Sequence, residues 1–212
     1  MNKIILLLIL VVTFSCKDEK KKETQVVTPV TVEKQYKTVK SFTNEDLGAL
    51  SKTRVNLEPA TDVEFTDAVY NLSRNTTTES AYMSTGLIPV TYASEYRASV
   101  TVKKGDNGNL FGLRITGTYP DRVDAIFDLD KGTVIEYKTS QDFENPIATI
   151  EKLSDDWYNC TLSAEVAADN VRVIMGATSL DKKVTSWEGK TTTQGSVYLV
   201  PSSLTLEEVI LN

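Results

Sequence analysis

The chain has 212 residues, 23 Lys and Arg against 29 Asp and Glu, a formal net charge of −6, two cysteines and no histidine. An acidic balance gives no electrostatic basis for binding nucleic acid. Without histidine, the commonest general base, the commonest zinc ligand and the His-activated nucleophiles are all missing.

The first element is a targeting segment. Lys3 supplies a positive start, residues 4–12 are all apolar, and Thr13-Phe14-Ser15-Cys16 follows. The apolar run is far shorter than the ~20 residues that a membrane-spanning helix needs. A charged start, a short apolar stretch and small residues before a cut describe a signal peptide. With Cys16 first after the cut, the site resembles the lipobox read by the type II signal peptidase. Lys17-Asp18-Glu19 then resembles the export signal of Bacteroidetes lipoproteins, a Lys and two acids directly after the lipidated Cys. The resemblance implies a fatty-acylated, palmitate-bearing Cys16, anchored in the outer membrane and facing the cell exterior. The membrane would then be met only through that lipid. Once Cys16 is acylated, Cys160 is the single thiol left, so no intrachain disulfide can form. Its neighbours Trp157-Tyr158-Asn159 and Thr161 offer no base to activate it, and a small buried residue is expected.

Residues 16–45 read as the lipidated Cys followed by a flexible stalk of Lys, Glu, Thr and Val. Asn44-Glu45-Asp46-Leu47 is a helix-capping pattern for one short helix ending near residues 48–50. Residues 46–212 form the domain. From about Thr53 the chain turns to short runs of Val, Ile, Thr and aromatics, punctuated by Gly, Asn, Asp and Pro. This spacing predicts an all-β fold, a two-sheet antiparallel β-sandwich. Tyr96, Ala98, Val100 and Val102 share one face of a strand. Phe111, Leu113 and Ile115 share one face of the next, and Val123, Ala125, Phe127 and Leu129 one face of a third. Asp130-Lys131-Gly132 reads as a hairpin turn. Further strands are expected at 147–153, 158–164, 171–175, 197–200 and 204–210.

Four pieces of the chain together resemble a family of jelly-roll, carbohydrate-binding-module-like domains. They are the strand Tyr96-Arg97-Ala98-Ser99-Val100-Thr101-Val102-Lys103-Lys104-Gly105, the hairpin Phe127-Asp128-Leu129-Asp130-Lys131-Gly132-Thr133-Val134, the strand around Asp156-Trp157-Tyr158-Asn159, and the closing pair at 196–200 and 204–207. Asp156, Asn159 and Val200-Pro201 depart from the family pattern. The resemblance implies a jelly roll of the galactose-binding-like type, a polysaccharide as ligand, and surface glycan-uptake proteins as possible partners.

Strand alternation sets Trp157, Asn159, Arg172 and Tyr198 on outward faces, where a ring and nearby hydrogen-bonding groups could form a shallow glycan site. Trp157 could equally pack over the sheet end. Trp187 lies in a polar stretch, 181–190, and is either folded back onto the core or offered to a ligand. Tyr119 is a second loop aromatic. No cofactor is expected, although Asp128 and Asp130 could hold a structural calcium. The favoured function is non-catalytic polysaccharide binding through aromatic residues. A structural or adhesion module is the alternative, and a glycan lyase or hydrolase a weaker one, because no motif places two carboxyl groups together.

Overall fold

The computed structural model describes residues 33–211, apart from 63, 66 and 180–182. The signal peptide, Cys16 and the chain up to residue 32 lie outside the described residues. The strands, in chain order, are β1 (Lys34–Ser41), β2 (Ser51–Thr53), β3 (Val55–Ala60), β4 (Val69–Arg74), β5 (Tyr82–Ser84), β6 (Ile88–Pro89) and β7 (Ser94–Lys104). They continue as β8 (Leu110–Thr116), β9 (Arg122–Asp128), β10 (Thr133–Ser140), β11 (Glu144–Lys152), β12 (Trp157–Val166), β13 (Asn170–Thr178) and β14 (Ser196–Leu211). The first sheet runs β11-β12-β7-β14-β4-β3, with β1 added beside β14; the second runs β10-β9-β8-β13-β5-β2, with β6 beside β13. Every pairing is antiparallel. The protein is a two-sheet antiparallel β-sandwich, as the alternation predicts, and a jelly roll, as the resemblance implies.

The alternating residues meet between the sheets. Tyr96, Ala98, Val100 and Val102 of β7 and Tyr158, Cys160, Leu162 and Ala164 of β12 share one buried core with Phe111, Leu113 and Ile115 of β8 and Val123, Ala125 and Phe127 of β9. Such burial is worth about 25 cal/mol per Å² of apolar surface and holds the layers together. Burial pushes the Cys160 thiol well up, so it acts as a small apolar filler. The capping pattern at 44–47 forms a 3-10 turn, Asn44–Ala49, closed by reciprocal hydrogen bonds between Thr43 and Asp46.

The ordered sheet begins earlier than the expected boundary at residue 46. β1 pairs with the second half of β14, from Lys34 opposite Leu211 to Ser41 opposite Thr205. β14 is sixteen residues long. Its first half is flanked by β4 and β7, and its second half needs another strand on the side that β4 leaves open. The charged run from residue 34 supplies that strand.

The turn after β9 folds as expected, with Gly132 at φ +63°, a conformation that suits glycine. Its carboxylates do not fit a calcium site. Asp128 accepts hydrogen bonds from the backbone N–H groups of Asp130 (3.0 Å) and Lys131 (3.2 Å), from the Lys131 ammonium (2.8 Å) and from the Asn109 amide (3.2 Å). Asp130 is paired with Lys104 at 2.7 Å. Donors of the chain fill the positions that a cation would take. Burial works against ionisation of Asp128, but Lys131 and the two backbone donors outweigh it and hold the carboxyl below the usual range. A carboxyl depressed in the folded state adds stability above its unfolded value of about 4, and that contribution disappears as pH falls through the lower folded value. Asp128→Asn is therefore expected to lose stability at pH 7 and to narrow the stability gap between pH 7 and pH 3. Urea unfolding at both pH values measures this, and an unchanged gap would exclude the mechanism.

Candidate functional site

The outward face of the first sheet carries rows of polar side chains beside an apolar patch of Val69, Trp157 and Val200. Register places Thr149 of β11 opposite Thr161 of β12, Thr161 opposite Ser99 of β7, Ser99 opposite Thr205 of β14, and Thr205 opposite Ser41 of β1. A row of five hydroxyl residues thus crosses five strands. The adjacent row reads Ile147, Ser163, Arg97, Glu207 and Thr38 across the same strands. On the other side lie Glu151, Asn159 and Thr101.

Between β1 and β11 this face encloses a groove of about 230 Å³, lined by Lys34, Tyr36, Glu95, Arg97, Ile147, Thr149, Thr161 and Ser163. Tyr36 is 45% exposed. The Arg97 guanidinium lies 3.4 Å from its ring centroid, a cation–π stack that fixes the plane of the ring. Arg97 is itself held by Glu207, to which its Nε and Nη2 donate at 3.0 and 2.6 Å. The Lys34 ammonium donates to both oxygens of Glu95 at 2.9 Å, and the Ser163 hydroxyl donates to Glu95 at 3.1 Å. The groove therefore combines one rigid, half-exposed ring with closely spaced donors and acceptors. That combination suits a hydrated, polyhydroxylated ligand with an apolar face.

The sequence-predicted residues are distributed differently from the expectation. Trp157, Asn159 and Tyr198 do lie on this outward face, but Trp157 is 0% exposed. Val69 and Val200 pack on it, and Phe65 meets it edge-on at 4.6 Å between centroids. Its indole N–H donates to Asp62 (3.3 Å), which also accepts from Lys103 (3.1 Å). A sealed ring cannot stack on a sugar, so of the two readings of Trp157 the packing one holds and the platform one does not. Asn159 is half-buried beside it. Tyr198 is half-buried, with its hydroxyl 3.3 Å from Asp106.

Arg172 is exposed but belongs to β13, opposite Thr116, so it sits on the second sheet and cannot join the others. Trp187 is also 0% exposed. It lies on the outer face of the second sheet with Leu110, Ile126, Ile174 and Val184. Its indole N–H donates to Asp124 at 3.0 Å, and its backbone carbonyl accepts from Thr178 at 2.7 Å. Of the two readings of Trp187, the folded-back one is correct. Tyr119 is 80% exposed on a loop, with Arg122 5.2 Å from its ring.

Tyr36 and Arg97 were not singled out in the sequence. Tyr36 stood in the expected stalk. The charge of residues 34–41 masked the strand that carries it.

The molecule is thus a jelly-roll β-sandwich with a polar groove across one outer face. No protein-family model and no curated protein matches the chain. Solved structures are similar to it, two of them as follows. One, described as "CBM4 structure and function", is 14% identical, with 79% of this chain and 84% of that chain covered and a TM-score of 0.39. The other, a family 30 carbohydrate-binding module, is 11% identical, with 66% and 95% covered and a TM-score of 0.27.

Proposed function

We propose that the protein is a non-catalytic lipoprotein that binds a polysaccharide in the groove around Tyr36 and Arg97. It is anchored through Cys16 on the outside of the outer membrane and presents its ligand to glycan-uptake partners. The observation that carries carbohydrate binding is the Arg97-backed Tyr36 ring beside the hydroxyl row. Five strands at about 4.8 Å spacing extend that row over roughly 19 Å, enough for several linked sugar units. Hydrogen bonds to sugar hydroxyls largely replace those to water and net little. Desolvation of the ring adds the favourable increment, about 1–2 kcal/mol per covered sugar face.

The carboxylates of the groove support a non-catalytic role. Glu95 is tied to Lys34, and Glu207 to Arg97. A glycosidase needs two carboxyl groups free to flank the scissile bond.

Tyr36→Ala is expected to weaken retention by the bound polysaccharide about tenfold, the equivalent of ~1.4 kcal/mol. Affinity electrophoresis of wild type and variant through gels cast with a panel of neutral polysaccharides measures it. If a polysaccharide retards both proteins equally, the groove is not the site. If none retards the wild type, the structural or adhesion module takes the place of this function.

A further inference from the structure

We infer that β10 is a self-association edge, along which two copies of the chain pair antiparallel about Tyr137. The partner is a second copy of this chain. The inference goes beyond glycan binding and uses the other sheet.

Among the described residues, six strands have an open side: β1, β3 and β11 in the first sheet, and β2, β6 and β10 in the second. Five of them are guarded against pairing. β3, β6 and β11 carry Pro59, Pro89 and Pro146, which lack the N–H that a ladder needs. β2 is three residues long, and β1 carries Lys34, Lys37 and Lys40. β10 is eight residues long, with no proline and a single lysine. Ile135, Glu136, Tyr137 and Lys138 are all exposed. The register with β9 shifts between Val134 and Glu136 and is regular from Glu136 to Ser140. Among the described residues, the backbone of 133–140 bonds only to β9. An open row of N–H and C=O groups beside exposed apolar side chains is a template for another strand.

The charges of β10 select the occupant and its register. Glu136 and Lys138 lie on the outward face, opposite Ile126 and Asp124, and Tyr137 lies on the inward face, opposite Ala125. Neither charge has an ion pair or hydrogen bond among the described residues. Asp124 is taken up by Arg114, Arg122 and Trp187, so it leaves Lys138 free. Directly opposed residues of an antiparallel pair share a face. A two-fold axis between identical strands must therefore pass beside one residue, which then meets its own copy. Centred on Tyr137, Glu136 meets the partner's Lys138 and Lys138 meets the partner's Glu136. The two Tyr137 rings meet on the inward face. Centred on Glu136 or on Lys138, the same strands set like charges face to face, which is unfavourable. A foreign strand would have to bring the reverse order of charges. A second copy already carries it.

The test is sedimentation equilibrium of the full chain in density-matched detergent, over a concentration series, for wild type, E136K, K138E and E136K/K138E. The wild type is expected to dimerise with a micromolar dissociation constant. E136K and K138E are each expected to weaken the dimer about tenfold or more, because either one sets like charges together on both sides of the axis. The double exchange is expected to restore the dimer, since its reversed pairs remain complementary. An equimolar mixture of E136K and K138E is expected to form a mixed dimer at wild-type strength, which also shows that both variants fold. A wild type that stays monomeric at about 100 μM overturns the inference and leaves the edge to a strand of another protein. It is also overturned if the single exchanges dimerise as the wild type does, or if neither the double exchange nor the mixture restores the dimer.

Discussion

Trp187→Ala is expected to destabilise the protein by about 3–5 kcal/mol, lowering the melting temperature by roughly 10 °C. The indole is fully buried between the outer face of the second sheet and the loop that carries it. Its seat is a slot without side chains. Gly112 of β8 stands opposite Gly176 of β13, and a Cβ on Gly112 would come within 2.2 Å of the indole. Truncation therefore leaves a cavity beside Val184 and removes one of the donors to Asp124 Oδ1, which keeps its bond from Arg114. A sugar platform would behave oppositely, losing ligand while melting as before. Thermal unfolding of the variant decides between them, and an unchanged melting temperature would contradict the buried placement.

Asp124→Asn is expected to destabilise the protein by about 3 kcal/mol or more, as removal of one member of a buried ion cluster does. Asp124 is fully buried and accepts from Arg114 Nε at 2.6 Å, Trp187 Nε1 at 3.0 Å and Arg122 Nε at 3.2 Å. Arg114 reaches on to both oxygens of Glu188, at 3.0 and 2.8 Å, and so fastens the β13–β14 loop to the sheet. Burial pushes the Asp124 carboxyl up, against the pull of Arg114. Two guanidinium groups keep it the anionic centre of the cluster. In the variant an amide N–H₂ must face donors where an oxygen accepted, and the Arg charges lose their buried counterion. Chemical unfolding measures the loss; a change below about 1 kcal/mol would mean that Glu188 alone secures Arg114. Because Trp187 and Asp124 share a hydrogen bond, the double variant should lose less than the sum of the two.

The strands of the core were legible because apolar residues fall on every second position, the positions that face the other sheet. Tyr96 to Val102 and Phe111 to Ile115 alternate cleanly, and every apolar member of those sets is buried. Alternation also placed Trp157 and Tyr198 on an outward face correctly. It could not assign a strand to a sheet, which is why Arg172 was set beside residues on the opposite side of the sandwich. Nor does alternation say what lies above an outward residue. Trp157 is roofed by Phe65 and Asp62, from a loop ninety-odd residues away in sequence. The polar neighbours of Trp187 leave its burial open in the sequence. The readable signal was on the strands beneath it, where Gly112 and Gly176 leave a trough in two otherwise well-filled strands. Tyr36 was hidden by charge. Lys34, Lys37 and Lys40 make the segment look like a tail, yet an edge strand tolerates lysine on its open side, and Tyr36 stands directly opposite Val209.

The groove can be tested most directly by ¹H–¹⁵N spectra of the chain titrated with oligomers of a polysaccharide that retards it in electrophoresis. Binding in the groove predicts that the amides of Tyr36, Arg97, Thr149, Thr161 and Ser163 shift together and saturate with one dissociation constant, while Arg172 and Trp187 on the second sheet stay in place. Shifts confined to the second sheet, with the Tyr36 set unmoved, would contradict it.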